Sequence, residues 1–302
     1  MTAVLYDPPG PRARRRARVG GVIGTLAIVA LAGAVIVKLA QAGQFEATKW
    51  QPFTNPGIIR GLGQGLLNTL RAAVFSILLA LVLGTILAVG RLSNHDWLRV
   101  PAIAVIEFFR SVPLVLLILF AFLGFAQEFE ALGTRIGGVL PDGVATFIGI
   151  DQLGTLGPLV VALMLYNGSV LAEIFRAGIF AVPRGQAEAA YAIGLRKSRV
   201  MSLILVPQAV RIMLPAIVSQ CVVALKDTAL GGAIISFPDL VRRGRLIYDF
   251  YFNIIPTAVV IAAIYIALNM SLSRLATWLE GRQARKYGSE AVGKVEAAVD
   301  IH

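Results

Sequence analysis

Six charged residues interrupt the long apolar stretches of this 302-residue chain, and they are the residues best placed to do chemistry. Glu107 and Arg110 lie three apart, and Glu173 and Arg176 repeat the spacing. Residues three apart share a helix face, so each pair is expected to neutralise itself. Lys226 and Asp227 are adjacent, and on a helix they diverge by about 100°, so each needs a partner elsewhere. A charge at the centre of a span costs ~2.5–3.5 kcal/mol on insertion scales. Such residues therefore imply pairing, water or function. Lys226 offers a cation to a carboxylate and Asp227 an anion to an ammonium, so the pair, with Thr228 beside it, suits a small zwitterion. An inter-helix salt bridge is the alternative. A helix beginning at Pro215 puts Lys226 about 16 Å deep, near the midplane, whereas one beginning at Gln208 puts it near the outer surface. Gly231 and Gly232 follow and permit unwinding, and broken helices at the midplane are where transporters build substrate sites.

Other chemistry lacks material. His95 and His302 are the only histidines and Cys221 the only cysteine. An intrachain disulfide and a Cys-cluster metal site are excluded, and a His-based zinc site or a Ser-His-Asp triad has almost no material. No Gly-x-x-x-x-Gly-Lys-Ser/Thr loop occurs, so the chain does not hold ATP in that mode. No metal ligands and no bound cofactor are expected.

The elements that must position the six charges are membrane helices. The chain is 57% apolar and 15% charged, with a mean hydropathy of +0.76. A soluble domain averages about 45–50% apolar and about 25% charged. Charge-free or nearly charge-free stretches of about 17 residues or more are long enough to cross a ~30 Å hydrocarbon core. They predict an all-α membrane protein of about six helices, roughly 19–40, 66–90, 101–125, 156–178, 209–235 and 254–279. Lys226-Asp227 interrupts the fifth. The net charge of +11 sits mostly in loops, which points to topology rather than to nucleic acid. The head, 1–18, carries Arg12, Arg14, Arg15, Arg16 and Arg18, so the positive-inside rule makes it cytoplasmic. Loops 91–100 and 179–208 and the tail 281–302 follow on the same side. Loop 126–155 is acidic, as an outside loop should be, although 237–253 carries Arg242, Arg243 and Arg245 against the trend. Residues 19–40 read as a retained helix rather than a cleaved signal, being longer than the usual ~7–15-residue apolar region. Residues 41–65, rich in Gly and Pro, read as an irregular external connector.

One segment is too polar to cross lipid. Pro183 precedes a run of helix formers, Arg184-Gly185-Gln186-Ala187-Glu188-Ala189-Ala190-Tyr191. Gly194 permits a backbone turn, and a second amphipathic stretch is expected to stop at Pro207. Two short helices with a glycine elbow are shaped to dock a soluble partner.

This segment resembles the "EAA" motif of permease subunits of ATP-binding-cassette (ABC) importers. Glu188-Ala189-Ala190 is followed three residues later by Gly194, nine residues after that by Ile204, and Pro207 closes the motif. Val206 stands where the pattern has Leu. Asn68-Thr69-Leu70, Glu107-Phe108-Phe109-Arg110-Ser111-Val112-Pro113, Glu173-Ile174-Phe175-Arg176 and Lys226-Asp227-Thr228 are similar to the polar amino acid branch, across roughly 60–280. The head and the extra first helix look most like actinobacterial glutamate permeases.

The resemblance implies a type I ABC importer transmembrane fold over 66–280, with a cytoplasmic coupling helix in the loop 181–208. It implies a plasma-membrane permease that is not itself an enzyme. Glu188, Ala189, Ala190, Gly194, Ile204 and Pro207 would couple to a separate ATPase dimer, which holds ATP and magnesium. A second permease, identical or related, and an extracellular substrate-binding lipoprotein would complete the machine. The substrate would be a polar amino acid, glutamate by the narrower match. Lys226, Asp227, Thr228, Glu107 and Arg110 would line its path, and Glu173–Arg176 would be a structural ion pair. The second carboxylate of glutamate has candidate partners in Arg110, Lys226 or another subunit. Two other readings stay open: an ion-coupled carrier working alone, which should show inverted repeats, and an intramembrane enzyme, for which Asp227 and Glu107 make a poor dyad.

Overall fold

The computed structural model describes residues 10–274 and 278. The tail expected over 281–302 and the first nine residues of the head lie outside them. Among the described residues every regular element is helical. Six stretches are long and apolar enough to cross a membrane: Pro11–Gln41, Pro56–Arg91, Leu114–Gly137, Ile150–Ala181, Lys197–Ile234 and Ile254–Arg274.

Helix α1 (Pro11–Gln41) buries none of its residues against the rest of the chain. Helix α2 (Pro56–Arg91) starts ten residues before the expected boundary. Asn55 caps it, accepting from the Gly57 N–H at 2.8 Å, and Pro56 takes the first helical position, where its missing N–H costs nothing. The connector therefore ends at Asn55, not at residue 65.

The third span also departs from expectation. Helix α3 (Asp96–Ser111) and helix α4 (Leu114–Gly137) are separate. Pro113 bars the helical region to the residue before it, and Val112 is extended at ψ 129°. The membrane-crossing piece is α4, not 101–125, so Glu107 and Arg110 lie on the shorter α3.

A short helix α5 (Asp142–Ile148) leads into α6 (Leu153–Ala181), the central element. Leu159, Ala162, Leu163 and Ala172 on α6 are fully buried. Helices α2 and α6 approach closely where Gly84 meets Gly168: a Cβ on Gly84 would stand 2.9 Å from the Gly168 carbonyl oxygen. Small residues permit this backbone contact, which compensates for the weak hydrophobic drive between helices in lipid.

After α6 come α7 (Arg184–Ala192), α8 (Lys197–Val200), a π-helical turn over Met201–Leu205 and α9 (Val206–Asp227). Pro207 does not stop the helix as expected. It falls in the first turn of α9, and the π turn widens the helix where Pro207 withholds a bond from Leu203. Pro215 is inside α9. Helix α10 (Ala229–Ile234) follows after a lapse in the helical hydrogen bonding at Thr228, whose φ −58° and ψ −28° stay helical, and Gly231-Gly232 sit within α10, so the expected unwinding at the glycines is not found. Helix α11 (Leu240–Tyr251) and helix α12 (Ile254–Arg274) complete the bundle. The fully buried Phe237, between α10 and α11, plugs the core beside Leu117, Ile118 and Leu159. The two ends of the bundle are called here the α7 end and the α11 end.

Candidate functional site

At the α7 end, Glu188-Ala189-Ala190 forms the middle of α7. Ala190 is buried, whereas Glu188 and Ala189 face outward. Gly194 takes φ +83°, a left-handed value that a side chain would resist. The Gly194 N–H donates to the Tyr191 carbonyl at 2.9 Å and the Leu195 N–H to the Ala190 carbonyl at 3.1 Å. This paired closure is a Schellman motif, and it satisfies the last carbonyls of α7 while reversing the chain. Ile204 lies in the π turn and Pro207 one residue into α9. Gln208 Nε2 reaches Gln186 Oε1 at 3.5 Å, and Lys197 Nζ donates to Asn94 Oδ1. The loop is thus tied to α9 on one side and to the α2–α3 connection on the other.

Beside it lies a four-residue charge network. Glu173 and Arg176 pair at 3.0 Å, as their spacing predicts. Glu107 and Arg110 do not pair. Glu107 instead meets Arg91 Nη1 at 3.3 Å, and the same nitrogen lies 2.6 Å from Glu173 Oε1. Arg91, the last residue of α2, therefore joins α3 to α6. The packing of α2 against α3 and α6 brings Arg91, rather than Arg110, to the Glu107 carboxylate. Arg176 also stands over the Phe180 ring, 5.6 Å from its centre, a cation–π contact. Arg110 is exposed.

Lys226, Asp227 and Thr228 lie toward the α11 end. Lys226 is twenty residues beyond Val206, about 30 Å along the helix. A polar pair marks the middle of the bundle: Gln220 Nε2 donates to Asn167 Oδ1 at 2.6 Å, and Asn167 is the central residue of α6. Lys226 stands about 9 Å further out than Gln220. The midplane placement is not found, because the helix begins before Gln208 rather than at Pro215. Lys226 is exposed, Asp227 half-buried and Thr228 fully buried.

Beyond Thr228 the chain is clamped by buried polar groups. Asn68 Nδ2 donates to the Pro238 carbonyl at 2.9 Å, and the Thr69 hydroxyl accepts from the Leu240 N–H at 3.2 Å. Asp239 caps α11, accepting from the Arg242 N–H at 2.8 Å. Burial pushes its carboxyl up to about 7, against the lowering effect of backbone N–H groups from Arg242, Gly232 and Val241. The pieces at this end thus hold the α10–α11 turn against α2.

Arg91, the Asn167–Gln220 pair and Asp239 are not among the residues singled out in the sequence. Arg91 closes a charge-free span, and that position reads equally well as an ordinary loop charge. Asn167 and Gln220 lie 53 residues apart, and no local spacing connects them.

Comparison with known proteins shows what this arrangement belongs to. Residues 80–285 match the family described as binding-protein-dependent transport system inner membrane component. The chain is 41% identical over 248 residues to the glutamate transport system permease protein GluD of Corynebacterium glutamicum, covering 82% of this chain and 84% of that protein. It is 33% identical over 228 residues to a probable glutamine ABC transporter permease protein, GlnP, of Bacillus subtilis, covering 74% and 93%. Among solved structures, an amino acid ABC transporter crystallised with histidines superposes with a TM-score of 0.62 at 27% identity, covering 74% of this chain and 94% of that one. With its helical bundle, its membrane spans and the Glu188–Gly194 turn between the fourth and fifth of them, the chain belongs to the binding-protein-dependent transport permeases, as the membrane-spanning, non-enzymatic subunit of an amino acid ABC importer.

Proposed function

We propose that this permease carries glutamate inward by alternating access driven by a separate ATPase dimer. The observation that carries the substrate is the 41% identity to a glutamate permease across most of both chains. The coupling element is the loop 181–208, where Glu188 and Ala189 are presented outward and Gly194 sets the turn. ATP and magnesium are held by the ATPase. On ATP-driven closure, α7 is pushed, and Gln208 and the π turn pass the motion into α9. The unit 66–280 is the transport domain, 1–18 and 281–302 lie in the cytoplasm, and 19–40 is an added anchor. An extracellular binding lipoprotein delivers substrate, and a second permease completes the path.

Lys226, Asp227 and Thr228 meet the substrate in the outer half of the bilayer. Glu107 and Arg110 lie at its cytoplasmic exit, where the exposed Arg110 is free to meet a carboxylate. This reading is supported by the lapse in helical hydrogen bonding at Thr228 beside two charges that make no ion pair with each other on the helix. Glu173 and Arg176 serve structure.

The test is purification of the detergent-solubilised chain from its native membrane, with mass spectrometry of what accompanies it, followed by reconstitution. An ATP-binding subunit, a permease partner and a binding protein should co-purify, and glutamate uptake should need ATP. A chain that purifies alone and transports without ATP overturns the reading.

A further inference from the structure

A groove of about 900 Å³ opens at the α7 end between α2, α6 and α9. Its volume is within the ~300–1,000 Å³ range of ligand sites. Its chemistry is divided along its length. Ser93, Asn94, His95, Lys197 and Ser198 form the mouth, and none of the lining residues is a carboxylate. Above the mouth the walls are apolar, with Ile86 and Val89 on α2 and Val210, Met213 and Ile217 on α9. Ile86 is 62% and Val89 66% exposed, so this apolar slot is open rather than packed shut.

The depth is also informative. Ile217 is one turn short of Gln220, whose bond to Asn167 marks the middle of the bundle. From Val206 to Ile217 is about 16 Å of helix, close to half of a ~30 Å hydrocarbon core, so the apolar walls reach roughly to the bilayer centre and stop. The π turn at Met201–Leu205 forms part of the wall, and π turns recur at functional sites. A groove with a cationic, hydroxyl-rich mouth and an apolar slot one leaflet deep matches an amphiphile with an anionic head. It does not match glutamate, which would bring two carboxylates into the apolar part.

We propose that this groove binds an anionic phospholipid of the leaflet on the coupling-loop side, with the headgroup on Lys197 and His95 and an acyl chain between α2 and α9. Lys197 is the first residue of α8 and bonds Asn94, so a headgroup there bridges the coupling loop and the α2–α3 connection. The lipid would set how firmly the loop is held. The proposal rests on the membrane class of the chain and not on its substrate or energy source.

The test uses the full-length chain, with whatever subunits co-purify, and photoactivatable acyl-chain analogues of phosphatidylglycerol and phosphatidylcholine. Cross-linked peptides should map to 85–98 and 197–217, with phosphatidylglycerol preferred. Lys197→Gln should reduce that preference about fivefold, the effect of one basic residue near anionic lipid. Val210→Trp should block labelling of the slot, whereas Val82→Trp, on the exposed face of α2, should not. The Lys197→Gln and mapping results stand even if Val210→Trp fails to fold. Equal labelling by both lipids, or labelling spread evenly over the apolar surface, overturns the proposal. So does a Val89→Cys chain that cross-links to a second copy and loses lipid labelling, because the slot is then filled by protein.

Discussion

Arg91 on α2 lies 2.6 Å from Glu173 on α6, and through the same nitrogen it also holds Glu107 on α3 at 3.3 Å. Two sequence motifs that each look self-contained are therefore joined by a residue in neither. The side chains of Arg91 and Glu173 are 18% and 17% exposed, so this pair is shielded, whereas Glu107 is 54% exposed. Replacing Arg91 with Ala leaves the shielded Glu173 with Arg176 alone and Glu107 without its arginine, and is expected to cost about 1.5–3 kcal/mol, the range for hydrogen bonds to charged groups. Glu107→Gln should cost under about 0.5 kcal/mol, as exposed pairs do. Thermal unfolding of the purified protein in detergent compares the two; equal losses would mean that the network does not centre on Arg91.

The Gln220–Asn167 bond crosses between α9 and α6 in the middle of the bundle. Gln220→Leu removes it and strands the Asn167 carbonyl. The expected loss is about 0.6 kcal/mol, the average for such bonds in membrane bundles, and at most about 1.7 kcal/mol. Denaturant unfolding in mixed micelles reads it, and a stabilised variant would show that the pair is a strained contact kept for motion.

Gly194 holds φ +83° at the elbow of the proposed coupling loop. Its Cβ position meets no other atom within 4 Å, so the obstacle to substitution is backbone strain alone. Gly194→Val should therefore distort the loop locally, at a cost of about 1–3 kcal/mol. ATP hydrolysis should continue while uptake falls, and charge reversal at Glu188 should act the same way. Unchanged uptake in both variants would count against the coupling assignment.

Asp227→Asn removes the anion proposed to meet the substrate ammonium. Uptake should weaken while the ATPase stays bound, measured as transport by proteoliposomes alongside co-purification. Wild-type uptake kinetics would assign Asp227 to structure.

Asp239 makes stability depend on pH with a definite sign. Its carboxyl titrates at about 7 in the fold, against 3.8 for an ordinary aspartate, because burial penalises the charge. Between those values the folded chain binds the proton more tightly than the unfolded chain. Stability contributed by this group is present below about pH 4 and is lost as pH rises toward 7. Asp239→Asn keeps the cap on α11, since Asn caps as well as Asp, and should flatten that slope. Melting midpoints at pH 5 and pH 8 decide: a slope that survives in the variant belongs to another group.

Much of this protein is determined by its sequence alone. Six apolar stretches and the placement of basic residues define the class, because lipid leaves the backbone few options and charge in hydrocarbon is costly. The Glu188–Pro207 spacing identified the family, since a helix, a left-handed glycine and a proline at set intervals are local features. Helix starts are legible where caps are local, yet the Asn55-Pro56 start of α2 is masked in the sequence by the glycines that follow it. What only the tertiary structure decided is which distant groups meet. Glu107 takes Arg91 rather than Arg110 because the ends of α2, α3 and α6 converge. Lys226 stands toward the α11 end, beyond the middle of the bundle, because the helix runs on through Pro207 and Pro215. Asn68 and Thr69 clamp a turn about 170 residues away. Periodicity fixes which face a side chain takes on its own helix, but the partner across the gap is chosen by packing, which no local spacing records.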